Sequence, residues 1–328
     1  MNAPEMSGGE WLDAEVRDAT PVGEGTLLLK LCAASGTLPS YEPGAHVAVR
    51  CGDAVRHYSL CGRGDAAAQY LLGVKLAPDS RGGSRWLFDN ARPGTTLRIS
   101  APRNHFPLDE GRPAYFFLSG GIGLTPILAM LLHLRERGVR ARLVHMCRAR
   151  AELAFADWLE DLASFHDVHV HCDAEAGAIY DVRAALADAP ADAAVYCCGP
   201  AALMNAVKEA GERLGRIDRY RFEFFSAPPQ EPEPREPAQP AEFVVVQAST
   251  GRGIPVPADK TMLQALRDAG LEMKSECEYG VCGWCAVGVL DGEPKHFDSY
   301  LTGAERASNK LVLPCVSRCA SASLTLDI

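Results

Sequence analysis

Short apolar runs separated by turn residues fill the first hundred positions. Residues 26–32, 46–51, 56–60, 70–76 and 96–100 each read as a brief strand, with Pro43-Gly44 and Pro93-Gly94 as breaks. Strands of this length with such punctuation predict a small antiparallel barrel. After Pro113 the rhythm changes to strand then helix. Residues 114–119 are continuously apolar and 127–136 carry a helical period. The alternation continues through 141–147, 151–162, 168–173, 182–187, 194–198 and 201–214. It predicts a parallel sheet with helices on both faces. Across residues 226–241 proline and charge replace every large apolar side chain. Such a segment favours extended geometry at roughly 3 Å per residue and acts as a semi-rigid spacer. The expected division is a barrel at 1–108, an α/β domain at 109–225, the spacer at 226–241 and a final module at 242–328.

That final module carries Cys277, Cys282, Cys285 and Cys315, spaced Cys-x4-Cys-x2-Cys with the fourth after a long gap. This is the ligand spacing of a plant-type 2Fe-2S cluster. Gly280 and Gly283 allow the intervening loop to turn tightly and bring its amides toward sulfide. A structural zinc site is the alternative, but zinc favours paired Cys-x2-Cys knuckles and a single such pair occurs here. The other eight cysteines are scattered, several within apolar runs, and read as small buried hydrophobes; Cys319, close to Cys315, is among them. No disulfide framework, secretory signal or long apolar span is evident, so a reducing cytoplasm is expected.

With 328 residues and 47% hydrophobic content, the chain can support two or three cores. A net charge of −9 and the lack of a basic stripe with interleaved aromatics argue against nucleic-acid binding. Acidic patches could instead steer a basic protein partner.

Three loops carry candidate chemistry. Ser119-Gly120-Gly121-Ile122-Gly123-Leu124-Thr125-Pro126 follows an apolar strand and opens a helix, the context in which glycines let the backbone approach a pyrophosphate. A plain tight turn is the bland alternative. Cys198-Gly199-Pro200 ends a later strand of the same sheet, so both loops should face one crevice, with Cys198 a candidate for the wall beside a nicotinamide ring. In the barrel, Arg56-His57-Tyr58-Ser59-Leu60 places Arg56 and Tyr58 on one face and His57 and Ser59 on the other. Ser80-Arg81-Gly82-Gly83-Ser84 adds a glycine-rich, cationic loop at a helix start, a second phosphate-binding arrangement. His57 reads as a structural member of its strand. A one-electron cluster and a two-electron pyridine nucleotide need a flavin between them, and these two barrel segments give it a place.

The segments RHYSL (56–60), RGGS (81–84), PRNHFPL (102–108), GGIGLTP (120–126), CCGP (197–200) and FEFF (222–225), followed by the cysteine set, together resemble the phthalate dioxygenase reductase and vanillate demethylase reductase family over nearly the whole chain. The resemblance implies an FMN barrel, an NADH domain and a C-terminal ferredoxin module of β-grasp fold, supplying electrons to a Rieske-type oxygenase. It implies that Arg56 and Ser84, with the Arg81-Gly82-Gly83 turn, hold the FMN phosphate. Tyr58 and Ser59 would lie against the isoalloxazine, Val74 and Lys75 would line it, and Phe225 would pack where nicotinamide enters. Thr125 and Cys198 would flank the nicotinamide. It favours NADH, with Asp173 as a ribose contact, whereas Arg148 and Arg150 could accept a 2′-phosphate. Trp284 and the proline-rich spacer depart from the family pattern; Tyr279 and Trp284 are candidate docking contacts. A monomer is expected. A cytochrome P450 acceptor, a flavin reductase of small acceptors and a non-enzymatic ferredoxin-like carrier are the competing readings.

Overall fold

The computed structural model describes residues 11–63, 69–76, 82–225, 242–275, 278, 280, 283–298, 300, 301 and 303–328. Arg81, Cys277, Tyr279, Cys282 and the 226–241 spacer lie outside the described residues. The chain divides into two compact units, residues 1–225 and 226–328.

The first unit opens with β1 (Trp11–Gly23), β2 (Thr26–Ala33), β3 (Ala45–Cys51), β4 (Ala54–Ser59) and β5 (Tyr70–Lys75), followed by α1 (Gly83–Asn90), β6 (Thr96–Ser100) and β7 (Arg103–Asn104). Their sheet runs β4-β3-β6-β1-β2-β5, with β7 against β3, and a Leu60↔Leu72 bridge joins its two edges. That closure makes it an antiparallel barrel. Val16, Leu29, Leu31, Val47, Val49, Leu72 and Ile99 are fully buried inside it. The five expected strands are present, and β1 adds a long strand whose half-exposed, charge-bearing pattern hid it from hydrophobic periodicity.

The second half of this unit alternates β8 (Tyr115–Gly120), α2 (Leu124–Glu136), β9 (Arg142–Cys147), α3 (Ala156–Ala163), β10 (Asp167–Cys172), α4 (Asp173–Ala176), α5 (Val182–Asp188), β11 (Ala194–Cys198), α6 (Ala201–Arg213) and β12 (Tyr220–Glu223). The sheet is parallel in the order β10-β9-β8-β11-β12. Helices α2 and α3 pack on one face with Phe117 and Leu143; α5 and α6 pack on the other with Phe116, Leu118 and Val195. From β8 the chain winds outward to β10, then returns to place β11 on the opposite side of β8. The carboxyl ends of β8 and β11 therefore form the switch point where open α/β sheets bind ligands.

The second unit contains β13 (Phe243–Gln247), β14 (Gly253–Val256), α7 (Met262–Asp268), β15 (Val287–Asp291), β16 (Pro294–Lys295), α8 (Gly303–Ser308), β17 (Leu311–Val312), β18 (Arg318–Cys319) and β19 (Ser323–Leu326). Its mixed sheet runs β14-β13-β19-β15-β17, with β13 and β19 parallel. Helix α7 starts with a full capping box between Thr261 and Gln264 and buries Met262, Ala265 and Leu266 on that sheet. A mixed sheet grasping one helix is the expected β-grasp arrangement.

Candidate functional site

The barrel brings an arginine to a helix start. A Cβ placed on Gly83 would lie 2.5 Å from Arg56 Cγ and 3.0 Å from its Nε, so the residue that opens α1 must be small for the Arg56 side chain to cross there. Gly82 precedes it at φ 97°, and α1 begins with no side-chain cap and no acidic residue in its first turn. Uncapped amides, a positive helix end and a guanidinium in one place suit a phosphate, so these residues fit a flavin mononucleotide's terminal group. Register places Arg56 opposite Val49 and Tyr58 opposite Val47, while His57 and Ser59 share the other face. Burial pushes the Tyr58 phenol up, with Cys51 beside it; the Cys51 thiol itself is raised to about 11 by burial. Val74, next to Lys75 on β5, packs in the barrel core.

The barrel's last-paired strand meets the nucleotide loop. A Cβ on Gly73 of β5 would sit 2.5 Å from Thr125 Cγ2, and one on Gly121 would sit 3.9 Å from Lys75 Nζ. Thr125 is buried and its hydroxyl donates to the Ile122 carbonyl at 2.9 Å, tying off the glycine turn. The turn is held from behind by Ser119 and His145, which share a 2.8 Å hydrogen bond. Burial, with Lys75 adding to it, pulls His145 down to about 4, so a neutral imidazole supports the loop at ordinary pH.

Three glycines fit the 120–123 turn against the 198–200 turn. A Cβ on Gly123 would lie 2.3 Å from the Cys198 carbonyl oxygen, one on Gly199 would lie 2.9 Å from the Gly120 nitrogen, and one on Gly120 would lie 2.7 Å from Pro200 Cδ. Both turns thus line one crevice. The Cys198 side chain is fully buried, and burial, reinforced by Glu223, holds its thiol far above the usual range; it can shape the crevice wall but not act as a thiolate.

Glu223 escaped sequence reasoning. It pairs in register with Cys198, and Ser59 Oγ donates to its Oε2 at 3.2 Å across 164 residues of chain. Burial raises its carboxyl to about 7, opposed by His46 and the Ser59 hydrogen bond. The available signal was an acidic residue inside the aromatic run Phe222-Glu223-Phe224-Phe225. Phe225 itself is 46% exposed beyond the end of β12.

Arg148 follows β9 and Asp173 opens α4 after β10, and the amide of Ala174, next to Asp173, donates to the Arg148 carbonyl at 3.0 Å. Asp173 pairs with His171 at 3.3 Å, and Arg150 is clamped by both oxygens of Glu175.

In the second unit, the buried Cys285 and Cys315 face each other with sulfurs 3.3 Å apart. Cys285 ends a loop of left-handed residues, Glu278, Gly280 and Gly283, and Cys315 follows β17; facing each other, the two thiols fit two ligands of one iron, and the sulfur donor set suits a 2Fe-2S cluster. Gly280 lies against Asp298 and Val316, and a Cβ on Gly283 would strike the Tyr300 ring at 2.3 Å. Beside them Trp284 and Tyr300 are both about half exposed.

Comparison with known proteins accounts for both halves. Residues 245–320 match the 2Fe-2S iron-sulfur cluster binding domain, and residues 117–209 match the oxidoreductase NAD-binding domain. The vanillate O-demethylase oxidoreductase of a Pseudomonas species is 40% identical over 90% of this chain and 93% of its own length. The chain belongs to the phthalate dioxygenase reductase family. The solved phthalate dioxygenase reductase, a modular structure for electron transfer from pyridine nucleotides to 2Fe-2S, superposes with a TM-score of 0.67 at 32% identity over 97% of this chain and 98% of its own. An intact type IV self-sufficient cytochrome P450 monooxygenase gives a TM-score of 0.79 at 38% identity; the match covers 97% of this chain but 41% of that protein. The expected architecture of flavin barrel, nucleotide domain and ferredoxin module is therefore borne out.

Proposed function

We infer that this protein is the reductase component of an oxygenase system, taking electrons from NADH and delivering them singly to a separate Rieske-type oxygenase. The observation that carries this reading is the meeting of β5 with the nucleotide loops at Gly73 and Thr125, in a chain that also holds facing cluster thiols. FMN held here would supply the conversion of a two-electron hydride into single electrons for the 2Fe-2S cluster. Arg56, Arg81, Gly82, Gly83 and Ser84 would hold the FMN phosphate. Tyr58, Ser59 and Lys75 border the ring site. Gly120, Gly121 and Gly123 let the dinucleotide approach, while Thr125, Cys198, Gly199 and Pro200 orient the nicotinamide and Phe225 covers its entrance. Cys277, Cys282, Cys285 and Cys315 hold the cluster. The division at 108, 225 and 241 belongs to this reading, as do a monomeric state and a cytoplasmic setting. No helix among the described residues is long and apolar enough to cross a membrane.

A cytochrome P450 acceptor is the second reading, favoured by the likeness to the self-sufficient P450. Mixing the purified protein and NADH with a Rieske-type oxygenase, a P450 and a ferric chelate in parallel separates the candidates. Preferential reduction of the Rieske centre is expected; faster reduction of the P450 would favour the second reading, and reduction of the chelate alone would defeat both.

A further inference from the structure

A group of imidazoles on the barrel leads toward the half-buried carboxyl of Glu223 beside the nucleotide crevice. His46 on β3 stands in register opposite Ser59 on β4, whose hydroxyl donates to Glu223. His46 is 7% exposed. Its ring centroid lies 5.3 Å from that of His57, which is exposed, and 5.2 Å from that of His105, in the segment after β7. Strand alternation puts His46, His57 and Ser59 on one face of the β3–β4 pair, the face turned to Glu223. The groups that bear on the carboxyl are His46 from β3, Ser59 from β4 and Cys198 from β11; those that bear on His46 are His57, His105 and Arg103, the last opposite it across the β3–β7 pair.

We propose that His46 is a positioning residue for hydride transfer: acting on Glu223, whose hydrogen-bond partner Ser59 stands opposite it in register, it sets the charge of the carboxyl beside Cys198. The proposal rests on the reading that nicotinamide enters the crevice at Cys198. The chemical reason is direct. A nicotinamide ring becomes cationic when it gives up hydride, so a carboxylate nearby favours the forward transfer and a neutral carboxyl does not. Two influences oppose each other at Glu223. Burial favours its neutral form, and positive charge on His46 favours the carboxylate.

The test follows two signals in purified, FMN-loaded protein across pH: stopped-flow flavin bleaching by NADH, and the infrared carbonyl band of the protonated carboxyl. Wild type should show an inflection in both near pH 7, the range to which Glu223 is raised. Glu223→Gln should remove both inflections. His46→Gln should move both upward by about one pH unit, because a favourable positive charge is lost. His46→Arg, which keeps the charge, should hold them at or below the wild-type position. Inflections unmoved in His46→Gln, or surviving in Glu223→Gln, would overturn the proposal. If NADH bleaches no flavin in the wild type, the assigned function fails, and the infrared midpoint still decides whether His46 governs Glu223.

Discussion

Gly123 and Cys198 approach so closely that a single methyl group could not come between them: a Cβ on Gly123 would stand 2.3 Å from the Cys198 carbonyl oxygen. The obstacle is backbone on both sides, so it cannot rotate away as a flexible side chain would. Gly123→Ala should therefore prise apart the two turns that form the crevice. Overpacking of this kind costs roughly 1–3 kcal/mol, which at the nucleotide site corresponds to an increase in NADH KM of about tenfold or more. Flavin content should be unchanged, because the barrel is untouched. Steady-state kinetics together with the flavin-to-protein absorbance ratio checks this; loss of flavin would mean that the two sites are not separable.

Arg56 lies over the start of α1, where Gly83 leaves room for it. Replacing Arg56 with alanine removes a charge-assisted contact worth about 1.5–3 kcal/mol. Flavin affinity should fall by roughly 10- to 100-fold, measured by fluorescence of the released flavin on dilution. Flavin freed by acid should migrate as the mononucleotide. Recovery of the dinucleotide would contradict the assignment.

The features legible in the sequence were those encoded locally. The β4 alternation, the glycine turn before α2 and the cysteine spacing each lie within a few residues, so period and composition expose them. Features formed by distant segments were not legible. Glu223 gains its partner Ser59 only when β12 docks beside the barrel, and Gly73 shows its importance only when Thr125 arrives against it. His145 likewise reads as an ordinary strand residue until Ser119 is set beside it in register.

Nucleotide preference turns on the outer strands. Arg150 is held by both oxygens of Glu175, which restrains it from a 2′-phosphate, while Asp173 sits at the start of α4 where a ribose 2′-hydroxyl could be accepted. NADH should therefore show the higher kcat/KM. Glu175→Ala should narrow the gap by releasing Arg150. A wild-type preference for NADPH would show that Arg148 dominates the site.

Glu223 should also mark the stability of the protein with pH. Its carboxyl is raised to about 7 in the folded protein, above its ordinary value, so the native state binds the proton more tightly than the unfolded chain. The stabilising contribution is complete below the unfolded value and is lost as pH rises through about 7, amounting to something on the order of 3 kcal/mol. Glu223→Gln keeps the shape without the charge and should flatten that part of the profile. Urea unfolding followed between about pH 5 and pH 8 measures it. An unchanged slope in the variant would place the pH dependence elsewhere.

Cys285 and Cys315 face each other within one unit of the chain, while the crevice between β8 and β11 belongs to the other. That separation predicts a divided phenotype. Cys285→Ser removes one thiolate ligand and should abolish reduction of a protein acceptor, since electrons must leave singly through the cluster site. Bleaching of bound flavin by NADH should remain within about twofold of wild type, because none of Thr125, Cys198 or Arg56 is altered. Stopped-flow absorbance reads the flavin, and the visible charge-transfer bands read the cluster. Loss of flavin bleaching in a folded, FMN-loaded variant would show that the two units do not act independently, and undiminished acceptor reduction would show that electrons bypass the cysteine site.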